Sequence, residues 1–140
     1  MSGLKQKLQE KIQVEKPRTE KLLKEYSNVK VDEVNIGQII GGMRDIKSLV
    51  TDVSYLDPFE GIRFRGLTIP EVFEKLPKDA GNEMPSVEGF FYFLLTGDMP
   101  TSKEVDEVKE EFNSRRKVPD FVFNILKSMP ADSHPMTMFS

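Results

Sequence analysis

A mainly α-helical fold carrying one small β-hairpin is predicted for this 140-residue chain, and three observations predict it. Leu4, Leu8 and Ile12 recur at the four-residue spacing of a helix face. From residue 67 onward, helix starts and stops follow one another, each marked by a capping or terminating residue. One stretch, "LDPFEGIRFRG" at 56 to 66, alternates instead like paired strands around a turn. The chain thus divides into amphipathic helices over 1–30, an extended segment with the hairpin over 31–66, and an incomplete helical segment over 67–140.

The Leu4-Leu8-Ile12 stripe lies among Lys, Gln and Glu, so its helix is amphipathic and needs a partner surface. Pro17 has no backbone N–H and is expected to end it. Thr19 then caps a short second helix through Leu22, Leu23 and Tyr26, finishing near Asn28. Val29, Val31, Val34, Ile36, Ile39 and Ile40 suggest short strands or irregular extended chain leading to Gly41-Gly42. Residues 49–56 are rich in β-formers, Asp57-Pro58 marks a turn and Gly61 closes it before Ile62 to Gly66.

Thr68 with Glu71 forms a capping-box pattern, Pro70 suits the first turn, and Val72, Phe73 and Leu76 supply the inward stripe before Pro77. Ser86 opens a buried helix that Gly97 closes. Thr101 or Ser102 caps the next, with Val105, Val108 and Phe112 inward and Arg115, Arg116 and Lys117 at its end, as the helix dipole favours. Pro119-Asp120 starts a further helix that stops at Met129-Pro130. Asp132, Ser133 and His134 before Pro135 look like another helix start, whose opening apolar residues are Met136, Met138 and Phe139.

Composition narrows the function classes. Twenty basic against 23 acidic residues give a net charge of -3 and a pI near 5.3, which argues against a general nucleic-acid binder. Eight basic residues and four glutamates fall in the first 30, leaving 12 basic against 19 acidic in the rest. Lys and Glu interleave there, the pattern of a solvated helical face. The absence of cysteine excludes disulfides, thiolate metal sites and a thiol nucleophile. The longest apolar run, Phe90 to Leu95, is far short of the roughly 20 residues that span a bilayer, so no membrane partner is expected. The first residues lack an apolar signal core, and their glutamates depart from an acid-poor transit peptide, so a cytoplasmic protein is expected.

Three groups could carry chemistry. His134 is the only histidine, which excludes a multi-histidine metal site within one chain; beside a helix start it reads as a cap or packed side chain rather than a base. Gly41-Gly42-Met43-Arg44 could bring backbone close to an anion and offer Arg44 as a bidentate phosphate clamp. It has neither the Walker ending nor G-x-G-x-x-G spacing, so a structural turn is the competing reading. In the hairpin, Ile62 and Phe64 face one way and Arg63 and Arg65 the other, with Asp57 and Glu60 near enough to pair with them.

Taken in order, "GGMRDIKSLVTDVSYLDPFEGIRFRGLTIPEVFEKLP", "EGFFYFLLTGDMPT" and "DSHPM" resemble the N-terminal portion of the citrate synthase family, in its eukaryotic-type branch, from about Ile36 onward. The first 30 residues match in helical character alone. The resemblance implies a mostly α-helical homodimer, with 67–140 an incomplete part of its large domain, that condenses acetyl-CoA with oxaloacetate and water to citrate and CoA. It implies no metal and no permanently bound cofactor, acetyl-CoA being a substrate. An aspartate and two histidines do the chemistry, and the family's chains are roughly three times this length, so the catalytic residues are expected outside these 140 and none is assigned here. Arg44 matches an arginine that contacts a phosphate of CoA. A non-catalytic oligomerisation or binding module built on the same scaffold is the second reading.

Overall fold

The computed structural model describes residues 3–47 and 49–139. By their internal contacts they group into two units, one up to Val108 and one from Lys109 onward. That division falls inside the segment read from sequence as 67–140.

Helix α1 (Gly3–Tyr26) runs straight through Pro17, where the sequence predicted two helices. Proline at 17 costs one hydrogen bond, to the carbonyl of Gln13, and crowds that carbonyl, roughly 3 kcal/mol in a helix interior. Because α1 beyond Lys11 is exposed, water can reach the freed carbonyl. The turns around the proline are held by good helix formers and by Arg18–Glu15 and Lys16–Glu20 pairs at 3.3 and 3.9 Å. The half-buried residues of α1 lie in its first half, and the helix packs against α4 (Val87–Thr96): Leu4, Lys7, Leu8 and Lys11 are half-buried, whereas Ile12 is exposed. Lys7 and Lys11 reach the Asp98 carboxylate at 3.1 and 2.8 Å.

The segment read as extended contains a short helix, α2 (Ile36–Ile40). Asn35 caps it, and Asn35 and Gln38 form a reciprocal capping box. β1 (Ser54–Asp57) and β2 (Gly61–Phe64) form the predicted hairpin, in antiparallel register with Tyr55 opposite Arg63 and Leu56 opposite Ile62. A third strand, β3 (Leu67–Thr68), adds to β2, so the sheet has three strands in the order β1-β2-β3. Asp57 builds the turn by accepting the Phe59 and Glu60 N–H groups at 2.8 and 2.9 Å. Those two donors hold its carboxyl below the usual value.

The capped helices start and stop as the sequence predicts, but Phe73 and Phe112, read as facing inward, are 38% and 41% exposed. Phe73 sits one position off the buried Val72–Leu76 line, and Phe112 lies past Val108, after which no described residue is buried. α3 (Ile69–Lys75) has the Thr68–Glu71 capping box, Ser86 caps α4, and Gly97 closes α4 in the left-handed conformation, φ 76°. α5 (Ser102–Arg115) starts in the first unit and ends in the second. Its cap is Thr101, whose N–H and hydroxyl both donate to Glu104 at 2.8 Å. Val72, Leu76 and Phe93 form a buried cluster flanked by Phe64, Leu67, Phe90 and Met99, and the Phe64 and Phe90 rings meet edge-to-face at 5.0 Å. Tyr92, Val105 and Val108 complete the buried apolar set among the described residues. The Tyr92 hydroxyl donates to Glu104 at 2.6 Å; burial, reinforced by that carboxylate, pushes the phenol well above its usual pKa of 10.0.

In the second unit lie the end of α5, α6 (Asp120–Ser128) and α7 (Pro135–Phe139). None of the described residues from 109 onward is buried, and Phe121, Phe123, Ile125 and Leu126 on α6 are exposed.

Candidate anion-binding loop

The loop after α2 is built by one residue of that helix. Gln38 accepts the Met43 N–H on its carbonyl at 2.8 Å, and its side-chain Nε2 donates to the Arg44 carbonyl at 3.4 Å. The same side chain's Oε1 accepts the Asn35 N–H at 3.0 Å, while Asn35 Oδ1 accepts the Gln38 N–H at 2.9 Å. Gly41 and Gly42 donate their N–H groups back into the helix, to Gly37 and Ile39.

Beyond that point the chain turns through left-handed conformations at Gly42 (φ 82°), Met43 (φ 61°) and Asp45 (φ 57°). For Met43 and Asp45 this geometry costs on the order of 1 kcal/mol each relative to glycine. It leaves Arg44 exposed between two left-handed residues. No ion pair or hydrogen bond engages its guanidinium among the described residues. A free, always-charged planar donor on an exposed loop can clasp a phosphate through two parallel N–H bonds.

The other candidates are already engaged. Arg63 Nε donates to Glu60 Oε2 at 2.8 Å and its Nη1 to the Gly66 carbonyl at 2.8 Å, with a further contact from Nη2 to Glu60 Oε1. The pair holds the Glu60 carboxyl below its usual pKa and raises that of the guanidinium.

Arg65, at φ 50°, closes the C-terminus of α4. Its Nε and Nη2 donate to the Leu94 carbonyl at 3.1 and 2.7 Å, Nη2 reaches the Leu95 carbonyl at 3.3 Å, and Nη1 pairs with Asp52 at 3.1 Å. The sequence offered Asp57 and Glu60 as partners for both arginines. Glu60 serves Arg63, Asp57 serves the turn, and Asp52 serves Arg65. None of these contacts involves Arg44.

His134 accepts the Met136 N–H on Nδ1 at 3.2 Å, so the only histidine of the chain is a helix cap. A cavity of about 310 Å³ opens between β2, α3 and α4, lined by Phe64, Ile69, Phe73, Met84 and Phe90 among others. Ser86 is its one polar lining residue, so it lacks the convergent polar groups that orient a substrate.

Gln38 is the residue that sequence reading missed. Its signal, Asn35 followed three positions later by Gln, is a capping box that the β-branched Ile36, Ile39 and Ile40 masked.

The sequence that builds this scaffold has relatives among known proteins. The family model described as "Citrate synthase, C-terminal domain" matches residues 42–140, the greater part of the chain, Arg44 included. The chain belongs to the citrate synthase family. It is 42% identical over 139 residues to "Probable citrate synthase, mitochondrial" of Glossina morsitans morsitans, covering 99% of this chain and 30% of that protein. It is 43% identical over 137 residues to "Citrate synthase, mitochondrial" of Saccharomyces cerevisiae, covering 98% of this chain and 29% of that one. "Citrate synthase 4, mitochondrial" of Arabidopsis thaliana is 40% identical with the same two coverages.

The chain therefore spans about 30% of the length of the curated relatives it matches. The similarity also extends into the first 30 residues, beyond the shared helical character expected there. The expected cytoplasmic location is overturned, because these relatives are named mitochondrial. The acidic residues of 1–30 argued only against an uncleaved transit peptide, and a processed organellar chain has the same composition.

Proposed function

We propose that this chain is the N-terminal portion of a mitochondrial citrate synthase, which condenses acetyl-CoA with oxaloacetate and water to citrate and CoA. Within it, Arg44 contacts a phosphate of CoA. The observation that carries this reading is the 40–43% identity sustained over 98–99% of the chain by proteins more than three times as long. In this reading the family's enolising aspartate and its two histidines belong to the rest of that polypeptide; the one histidine present, His134, is engaged as a cap, which supports it.

These residues contribute a wall rather than the reacting groups. The sheet, α3 and α4 make a packed base, and the α2 loop carries Arg44 exposed, with no partner on its guanidinium among the described residues. The unburied apolar side chains of α6 fit burial in a larger assembly, for which the homodimer of the family is our reading. No permanently bound cofactor or metal is part of this scheme, in which acetyl-CoA is a substrate and the enolate is stabilised by positioned donors.

The test is thiol release from acetyl-CoA and oxaloacetate by the full-length polypeptide, compared with its Arg44→Ala variant. Loss of a charge-assisted phosphate contact should raise KM for acetyl-CoA roughly tenfold, with KM for oxaloacetate little changed. Full-length protein that releases no thiol would overturn the enzyme reading. Equal effects on both substrates would remove Arg44 from the CoA site.

A further inference from the structure

We infer that Gln38 is a positioning residue that sets the direction in which Arg44 is presented to the anion. This inference rests on the reading that Arg44 contacts a CoA phosphate. It follows from how the loop is held: Arg44 lies between Met43 and Asp45, both left-handed, so no regular secondary structure fixes its backbone. Among the described residues the one hydrogen bond to Arg44 comes from Gln38 Nε2, onto the Arg44 carbonyl. The neighbouring Met43 N–H is also held by Gln38, through its carbonyl.

Gln38 can do this because its own side chain is fixed. Its Oε1 is occupied by the Asn35 N–H, which leaves the two protons of Nε2 pointing away from the helix start and toward the loop. A single half-buried amide thus joins the cap of α2 to the backbone of the anion-binding arginine. Fixing the carbonyl of Arg44 limits where its Cα–Cβ bond can point, and so the arc its guanidinium sweeps. A bidentate contact to phosphate depends on that arc.

The experiment uses the full-length polypeptide and separates the tie from the cap. Gln38→Met keeps length and helix propensity but removes both amide contacts. It should raise KM for acetyl-CoA about fivefold, the scale of one lost hydrogen bond, without a matching rise for oxaloacetate. Asn35→Ala weakens the same helix start yet leaves Nε2 free to reach Arg44, and should move that KM less than twofold, within the small residual effect of a lost cap.

In an Arg44→Ala background the Gln38→Met effect should fall below twofold, because the two residues then share one path. Equal effects of Asn35→Ala and Gln38→Met, or a Gln38→Met effect that survives the loss of Arg44, overturn the inference. Arg44→Ala raising KM while Gln38→Met does nothing also overturns it, and leaves the phosphate role of Arg44 standing. Arg44→Ala with no effect on KM removes that role itself.

Discussion

Arg65 offers the sharpest test of the contacts that hold this fold, because its side chain and its backbone make opposite demands on a substitution. Three N–H to carbonyl contacts run from its guanidinium to Leu94 and Leu95, where the end of α4 has no intrahelical donor left. Hydrogen bonds from a charged donor contribute about 1.5–3 kcal/mol, and a cation at a helix C-terminus adds about 0.3–1 kcal/mol. The pair with Asp52 adds little, since that carboxylate is 67% exposed. Water can reach the vacated Leu95 carbonyl on its exposed side, which lowers the penalty, so Arg65→Ala should cost about 2–3 kcal/mol.

The backbone at φ 50° then separates two variants that lose the same contacts. Glycine tolerates that conformation and alanine does not, by about 1 kcal/mol, so Arg65→Gly should be more stable than Arg65→Ala. Arg65→Lys keeps a charge but not the fork, and should fall between the native residue and glycine. Urea unfolding followed by far-ultraviolet circular dichroism reads the order directly. With an m-value of about 2 kcal/mol/M, the alanine midpoint should drop by roughly 1 M. An alanine variant within about 0.5 kcal/mol of native would refute the helix-closing role, and a glycine variant no better than alanine would refute the strained backbone.

Two further predictions concern titration. The Lys11 hydrogen bond, with Lys7 beside it, holds the Asp98 carboxyl below its usual value of 3.8, so the docking of α1 is present above that value and fades as pH falls below it. Hydrogen exchange of the first half of α1 should therefore accelerate in acid; Asp98→Asn should speed it at neutral pH and flatten its acid dependence, and unchanged exchange in that variant would show that the clasp does not hold the helix. Tyr92 has its pKa raised by burial first, so its contribution is complete below pH 10, the usual value, and is lost as pH rises beyond it. Tyr92→Phe should cost about 1 kcal/mol at neutral pH through the lost bond to Glu104 and flatten the alkaline limb of the stability profile; a steep limb in that variant would place the effect elsewhere.

The helix boundaries from Thr68 onward were legible in sequence because capping is local chemistry. Thr68 with Glu71, Ser86 with Gly89 and Thr101 with Glu104 each close a hydrogen bond across three residues, so spacing alone reveals them. His134 as a cap, the turn at Asp57 and the family itself were readable for the same reason: each depends on residues in a fixed order along the chain. Arg44 was singled out by its type and its glycine neighbours, although the amide that holds its backbone was not legible in the sequence.

Tertiary structure decided what depends on distant partners. Arg65 finds its acceptors 29 and 30 residues away, and Lys11 finds Asp98 87 residues away, so no local pattern could assign them. The choice of Asp52 over Asp57 as the partner of Arg65 was settled together with that packing, whereas α1 continues through Pro17 because its exposed turns let water reach the freed carbonyl. A short-range bond is selected by sequence spacing, whereas a long-range one is selected by which surfaces the folded chain brings within about 3 Å of each other.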